Sequence, residues 1–217
     1  MHADQWDFSM PLDEAMGTQR AIRRLKPDPL DDELVLRLIE LAIRAPSGSN
    51  RQRWEFIIVK DPQVKRGLAR INRQVWQIVR RIRRRVLRND LKRSRILDAV
   101  LWQADHFEEA PVILVVCMRG RYIPFIHFSA ATYFASIYPA VQNLLLAARA
   151  VNLGAALTTI PFWNTLAARR VLGLPWSVTP CAVIPLGWPL GRYGPTTRKP
   201  VREVVSFDRF GNRPPPL

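Results

Sequence analysis

The 217-residue sequence contains neither G-x-G-x-x-G nor G-x-x-x-x-G-K-[ST]. The dinucleotide fingerprint and the P-loop are therefore both absent. It also has no H-E-x-x-H and no G-x-S-x-G, so neither a zincin helix nor a nucleophile elbow is available. The three histidines, His2, His106 and His127, lie far apart and carry no metal-ligand spacing. The two cysteines, Cys117 in VILVVCM and Cys181 beside AVIPL, form no disulfide framework and no thiolate metal site. Both read as small core residues, and a reducing, cytoplasmic setting fits them. The start, MHADQWDF, has no basic n-region and no apolar core, so no signal peptide is expected. The longest mainly apolar segment, 134–157, is interrupted by Gln142, Asn143, Arg149 and Asn152. It reads as a buried helix and not as a membrane span.

Acid is scarce in one place only. The chain has 33 Lys and Arg against 18 Asp and Glu, a net charge of +15. Between Lys65 and Arg95 there are 13 basic residues and a single acid, Asp90, so this segment holds +12 of the total. Val75, Val79, Ile82 and Val86 recur there at helical spacing, which predicts an amphipathic basic helix over 73–88. Such a helix is a solvated face or an attractor of anions. It also opens a reading of another class, a nucleic-acid or anionic-surface binding protein. Trp76 is the segment's one aromatic and no binding motif accompanies it, so no dedicated nucleic-acid partner is expected.

The remainder alternates helical and strand patterns without regular βαβ repeats. Helices are expected over 12–19, from Asp31 or Asp32 to about Arg44, from Asp61-Pro62, over 131–150 and over 163–172. Strands are expected at Phe56–Val59, at VILVVCM after Pro111, at ALTTI after Gly154 and at CAVIPLG after Pro180. Loop 119–129 and the helix 73–88 are the two candidates for a lid. The last 30 residues are proline-rich and aperiodic, an extended arm that needs a surface to lie on. The fold class is α+β.

Three polar clusters punctuate this core. Arg20, Arg23 and Arg24 surround Ile22. Ser47, Ser49, Asn50 and Gln52 fill APSGSNRQRW. Thr196, Thr197, Arg198 and Lys199 precede Pro200. Guanidinium groups and hydroxyls of this kind suit a phosphate ester, and Ser/Gly backbone N–H groups suit a ring with several acceptors.

The order of motifs resembles the nitroreductase-like FMN-dependent family. Gln19-Arg20-Ala21-Ile22-Arg23 stands where that family has R-R-S-x-R. Ala45 to Trp54 matches A-P-S-x-x-N-x-Q-P-W. Gln142 to Ala148 matches Q-N-L-x-L-A-A. Asn152-Leu153-Gly154 matches G-L-G, Gly187-Trp188-Pro189 a G-Y-P-like turn, and Arg198 to Val205 the motif R-[RK]-P-x-x-E-x-V. Gln19 and Ala21 depart from the opening motif by a charge and a hydroxyl. Arg53 replaces the proline before Trp54, and Arg202 adds a charge.

The resemblance implies a central mixed β-sheet flanked by helices, an FMN-binding domain over 1–187 and a C-terminal extension over 188–217 embracing a homodimer partner. It implies FMN as cofactor and NADPH or NADH as electron donor. The cofactor-binding set would be Gln19, Arg20, Ala21, Arg23, Pro46, Ser47, Gly48, Asn50, Leu157, Thr158, Thr159, Arg198 and Lys199. Arg20 and Arg198 would hold the phosphate and Arg23 the N1/C2 edge of the ring. Pro46, Ser47 and Asn50 would reach the flavin of the other subunit, and Thr158 and Thr159 the N5 side. The helix 131–150 becomes a candidate interface element. The expected activity is ping-pong hydride transfer to a nitroaromatic, quinone or similar acceptor, with flavin destruction or reductive dehalogenation as alternatives on the same fold. No protein acid, base or metal is required.

Overall fold

The computed structural model describes residues 6–86, 91–120 and 127–214. Its helices are α1 (Leu12–Thr18), α2 (Asp32–Ala42), α3 (Pro62–Val86), α4 (Leu91–Asp105), α5 (His127–Ala150) and α6 (Thr165–Leu172). Its strands are β1 (Trp54–Val59), β2 (Val112–Arg119), β3 (Gly154–Ala155) and β4 (Val178–Gly187). They form one sheet in the order β1-β2-β4-β3.

Alternation along β2 explains the layering. Val112, Leu114, Val116 and Met118 face one way and pack with α2 and α5 residues such as Leu34, Leu38, Ile137 and Leu144. Ile113, Val115 and Cys117 face the other way, toward Leu68, Ala69 and Phe107. Period two thus sends successive side chains to opposite faces, and both faces are covered. That double burial is why VILVVCM reads as an unbroken apolar run.

Every strand pair among the described residues is antiparallel, which corrects the expected mixed sheet. A continuous apolar run is the usual mark of a parallel strand buried on both sides. Here helices cover both faces of an antiparallel sheet, so the run carries no information on direction.

Local chemistry sets the ends of the elements. Asp31 caps α2 by accepting from the Glu33 N–H. Asp61 Oδ1 accepts from the N–H groups of Gln63 and Val64, so the basic segment grows from a capped start. α3 is one helix from Pro62 to Val86. Of the expected 73–88 stretch, residues 87 and 88 lie outside the described residues. Part of its charge is answered by acids beyond the segment: Arg73 pairs with Glu108 at 2.8 Å and Arg80 with Asp105 at 3.0 Å. Loop 119–129 is shorter than expected, because α5 already starts at His127; residues 121–126 lie outside the description.

The third strand is not the expected ALTTI (156–160) but the two residues before it, Gly154–Ala155. After Ala155 the chain leaves the ladder and touches β4 again only through Thr158 and Val183, which exchange two hydrogen bonds of 2.8 Å. A 3₁₀ turn then starts at Ile160, with Pro161, which has no N–H, as its second residue, and Asn164 caps α6 through the Ala167 N–H. Helix α6 therefore begins at Thr165 rather than 163.

Candidate functional site: a cationic cluster and a separate strained loop

The opening motif begins where α1 ends. Gln19 closes that helix with its N–H on Ala15 O. The next residues run extended along the sheet edge. Ile22 N–H donates to Ala155 O at 3.0 Å, Lys26 N–H to Trp188 O at 2.7 Å, and Leu190 N–H to Arg24 O at 3.0 Å. Ile22 and Leu25 press onto Gly154, where a Cβ would come within 2.8 Å of both side chains. Only glycine permits this approach. Arg20 and Ala21 are left exposed, and Gln19 and Arg23 half-buried.

Arg23 enters a small cleft with Trp102, Gln103, His106 and Pro185. Pro185 lies two residues along β4 from Val183, the partner of Thr158. Gln103 is 7% exposed, and its buried Nε2 has no hydrogen-bond partner. An orphaned buried donor of this kind costs free energy until an acceptor reaches it. The His106 ring stacks on Trp102 with centroids 4.1 Å apart, and its Nδ1 lies 2.8 Å from Trp102 O. That bond places a proton on Nδ1. The Arg24 guanidinium lies over the Trp102 ring. Burial, and then the charge of Arg20, push the Arg23 pKa down. Among the described residues, none of Arg20, Arg23, Arg198 and Lys199 has a carboxylate partner.

The C-terminal arm joins this cluster. Both the N–H and the Oγ1 of Thr196 donate to Gly17 O, at 2.9 and 3.1 Å, just ahead of the opening motif. Arg198 and Lys199 follow and are exposed; Arg198 Nη1 donates to the neighbouring Thr197 O at 3.0 Å. Leu157 and Thr159 are exposed, and Thr158 is half-buried with its Oγ1 accepting from the Ile160 N–H at 3.3 Å.

APSGSNRQRW stands elsewhere. Ser49, Asn50 and Gln52 take φ values of 53°, 51° and 48°, a left-handed backbone that side chains resist. The loop is braced by Gln52 N–H on Ser47 Oγ (3.1 Å) and by Gln52 Nε2 on Asn50 Oδ1 (3.0 Å). Ser136 on α5 anchors it, accepting from Gly48 N–H at 3.1 Å and from Trp54 Nε1 at 2.8 Å. Pro46, Gly48 and Asn50 are exposed and Ser47 is half-buried. No hydrogen bond among the described residues links this loop to the cationic cluster.

The structure thus brings Gln19 to Arg23 and Leu157 to Thr159 onto one sheet edge and ties the arm just ahead of Arg198 to Gly17. It leaves Pro46 to Asn50 apart. Trp102, Gln103 and His106 are additions that sequence reasoning missed, because the helix carrying the first two, α4, has no clear apolar period. Arg149 is a further addition, visible beforehand only as a charge in an apolar run. The two cysteines are buried, and burial raises each thiol pKa to about 12, so neither supplies a thiolate.

The fold and site define an α+β protein with a cationic edge and, as its two cysteines, buried thiols. The Nitroreductase family model matches residues 17–188, and the chain belongs to that family. It is 28% identical to the NADH dehydrogenase of Thermus thermophilus, over 86% of this chain and 91% of that protein. It is 26% identical to iodotyrosine deiodinase 1 of Rattus norvegicus, over 81% of this chain. The match spans 61% of the length of that deiodinase. Among solved structures it resembles oxidized iodotyrosine deiodinase bound to FMN and 3-iodo-L-tyrosine, at TM-score 0.67 and 24% identity, covering 92% of this chain and 100% of that one. The nitroreductase-like α+β fold expected from the motifs is therefore the fold of this chain.

Proposed function

We propose that the chain is an FMN-dependent oxidoreductase, a homodimer that carries a hydride from NADPH or NADH to a small organic acceptor such as a nitroaromatic or a quinone. When bound, FMN would supply the redox chemistry, accepting and releasing the hydride at its N5. The protein's task is to hold, orient and polarise. Arg20, Arg198 and Lys199 would hold the phosphate, with Gln19 and Ala21 beside them. Arg23 and the unpartnered Gln103 Nε2 present donors to a carbonyl-rich ring edge. A fixed cation there favours negative charge developing on the ring. Leu157, Thr158 and Thr159 would border the opposite edge.

The observation that carries this reading is the double hydrogen bond of Thr196 to Gly17 O, which ties the segment carrying Arg198 and Lys199 to the one carrying Arg20 and Arg23, four cations with no carboxylate partner among the described residues. Cations without carboxylate partners on segments tied together suit an anion. The separation of Pro46, Ser47, Gly48 and Asn50 from that edge fits a loop that serves the partner's site. The arm supports a dimer as well. Val201, Val204, Phe207 and Phe210 are exposed, Phe210 at 98%, and an apolar arm of this kind finds its cover on another subunit.

Purified protein should be yellow and should bleach anaerobically with NADPH or NADH. A colourless protein that takes up no added FMN overturns the reading. The deiodinase likeness favours a second acceptor class, halogenated phenols reduced with loss of halide. A panel of nitroaromatics, quinones and halophenols, with halide release measured, separates the two.

A further inference from the structure

Arg149, at the end of α5, is only 6% exposed. A charge that deep needs compensation. Its one carboxylate neighbour among the described residues, Glu14, is 3.7 Å away and half-exposed, too loose to neutralise it. Compensation comes from three other segments. Nε donates to Thr18 Oγ1 at 2.8 Å, and Nη1 to Asn152 Oδ1 at 2.8 Å. The guanidinium also lies over the Tyr193 ring, 4.3 Å from its centroid. Tyr193 OH in turn donates to Leu153 O.

These contacts close a circuit. Arg149 holds Thr18 at the end of α1. Gly17, next to Thr18, accepts two hydrogen bonds from Thr196. Tyr193, in the same arm, returns to Arg149. Arg20 follows Gly17 by three residues, and Arg198 follows Thr196 by two. The fork of Arg149 therefore ties together the two ends of the chain that carry the exposed cations. An apolar side chain would fill the same space without joining them.

We propose that Arg149 is a positioning residue, and that its latch on Thr18 and Tyr193 sets the spacing of Arg20 and Arg198 for a phosphate monoester. This rests on the flavin reading, with the phosphate of FMN as the ligand group, and adds a residue that touches no ligand. The prediction is selective. Loss of the latch weakens the phosphate grip and leaves ring binding alone.

The test uses the full-length protein and its Arg149→Gln and Tyr193→Leu variants, titrated with FMN and with riboflavin, which lacks the phosphate. FMN affinity should fall about tenfold or more, the scale of a hydrogen bond to a charged group. Riboflavin affinity should change less than about twofold on that scale. Trypsin cleavage after Arg192 and Arg198 in flavin-free protein should accelerate in both variants, since the arm loses its anchor. Equal weakening of both ligands shows a general structural defect and overturns the proposal. Unchanged FMN affinity with unchanged cleavage overturns it too. Wild-type protein that binds neither ligand sinks the flavin reading itself, and the cleavage rates still decide whether the latch exists.

Discussion

The cationic edge and the APSGSNRQRW loop hold their polar groups in opposite ways. The edge is built from extended backbone hydrogen-bonded to β3, to the turn after β4 and to the arm, and a buried arginine braces it. The loop keeps three residues in left-handed conformation and leans on one serine of α5. One region spends long-range backbone pairing to assemble residues far apart in sequence. The other spends local strain to present consecutive residues outward. On the proposed reading, in which the loop serves the partner's site, the two halves should respond differently to mutation.

The largest effect should come from the edge. Arg23→Ala and Arg198→Ala each remove a charged donor, a loss of about 1.5–3 kcal/mol, or roughly ten- to a hundredfold in FMN affinity. Fluorescence titration measures this. Asn50→Ala, in the loop, should weaken FMN less, by about 1 kcal/mol for a neutral hydrogen bond. The comparison breaks if the loop variant proves as damaging as the edge variants. It sharpens on mixing: if the halves belong to different subunits, mixed dimers of Arg198→Ala and Asn50→Ala regain one site of wild-type affinity. Mixtures that never exceed their parents place both halves in one chain.

Much of this was legible in the sequence. The apolar run of β2, the Asp61-Pro62 start and the turn formers around Gly48 announced themselves through local chemistry. The edge residues were legible only through the order of their motifs, because the segments carrying Arg20 and Arg198 join through tertiary pairing at Gly17 and Thr196 that no local pattern encodes. Strand direction was hidden by burial on both faces. Gln103 and His106 were hidden because both sit in or just beyond a helix with little apolar period, and their place beside Arg23 depends on how that helix docks. Arg149 was visible as an anomaly whose partners were not.

A smaller effect tests the strain in the loop. Asn50→Gly and Gln52→Gly place the one residue tolerant of positive φ at positions with φ near 50°. Relief of the side-chain penalty should outweigh the entropy of glycine and stabilise the fold by up to about 1 kcal/mol. Urea unfolding measures the gain. Asn50→Gly should lose FMN affinity while gaining stability, because the amide is removed as the strain is relieved. Gln52→Gly, which removes only a brace within the loop, should separate the two effects.

The smallest effect returns to the braced edge and concerns pH. Burial raises the Tyr193 pKa from 10 to about 12, with Arg149 opposing the shift. The folded state therefore keeps its phenol proton where the unfolded chain has lost it. The contribution to stability is whole below pH 10 and is lost as pH rises toward 12. Tyr133 shifts the same way, also to about 12, and Tyr138 is raised as well, so wild-type stability alone does not isolate Tyr193. The difference between wild type and Tyr193→Phe does. At pH 8 the variant should be less stable by about 1 kcal/mol, the hydrogen bond to Leu153 O. Between pH 10 and 12 that gap should close and then reverse, since only the wild type carries the extra phenol that favours unfolding in alkali. A gap that stays constant through this range would mean that Tyr193 is solvated and that the arm is not latched.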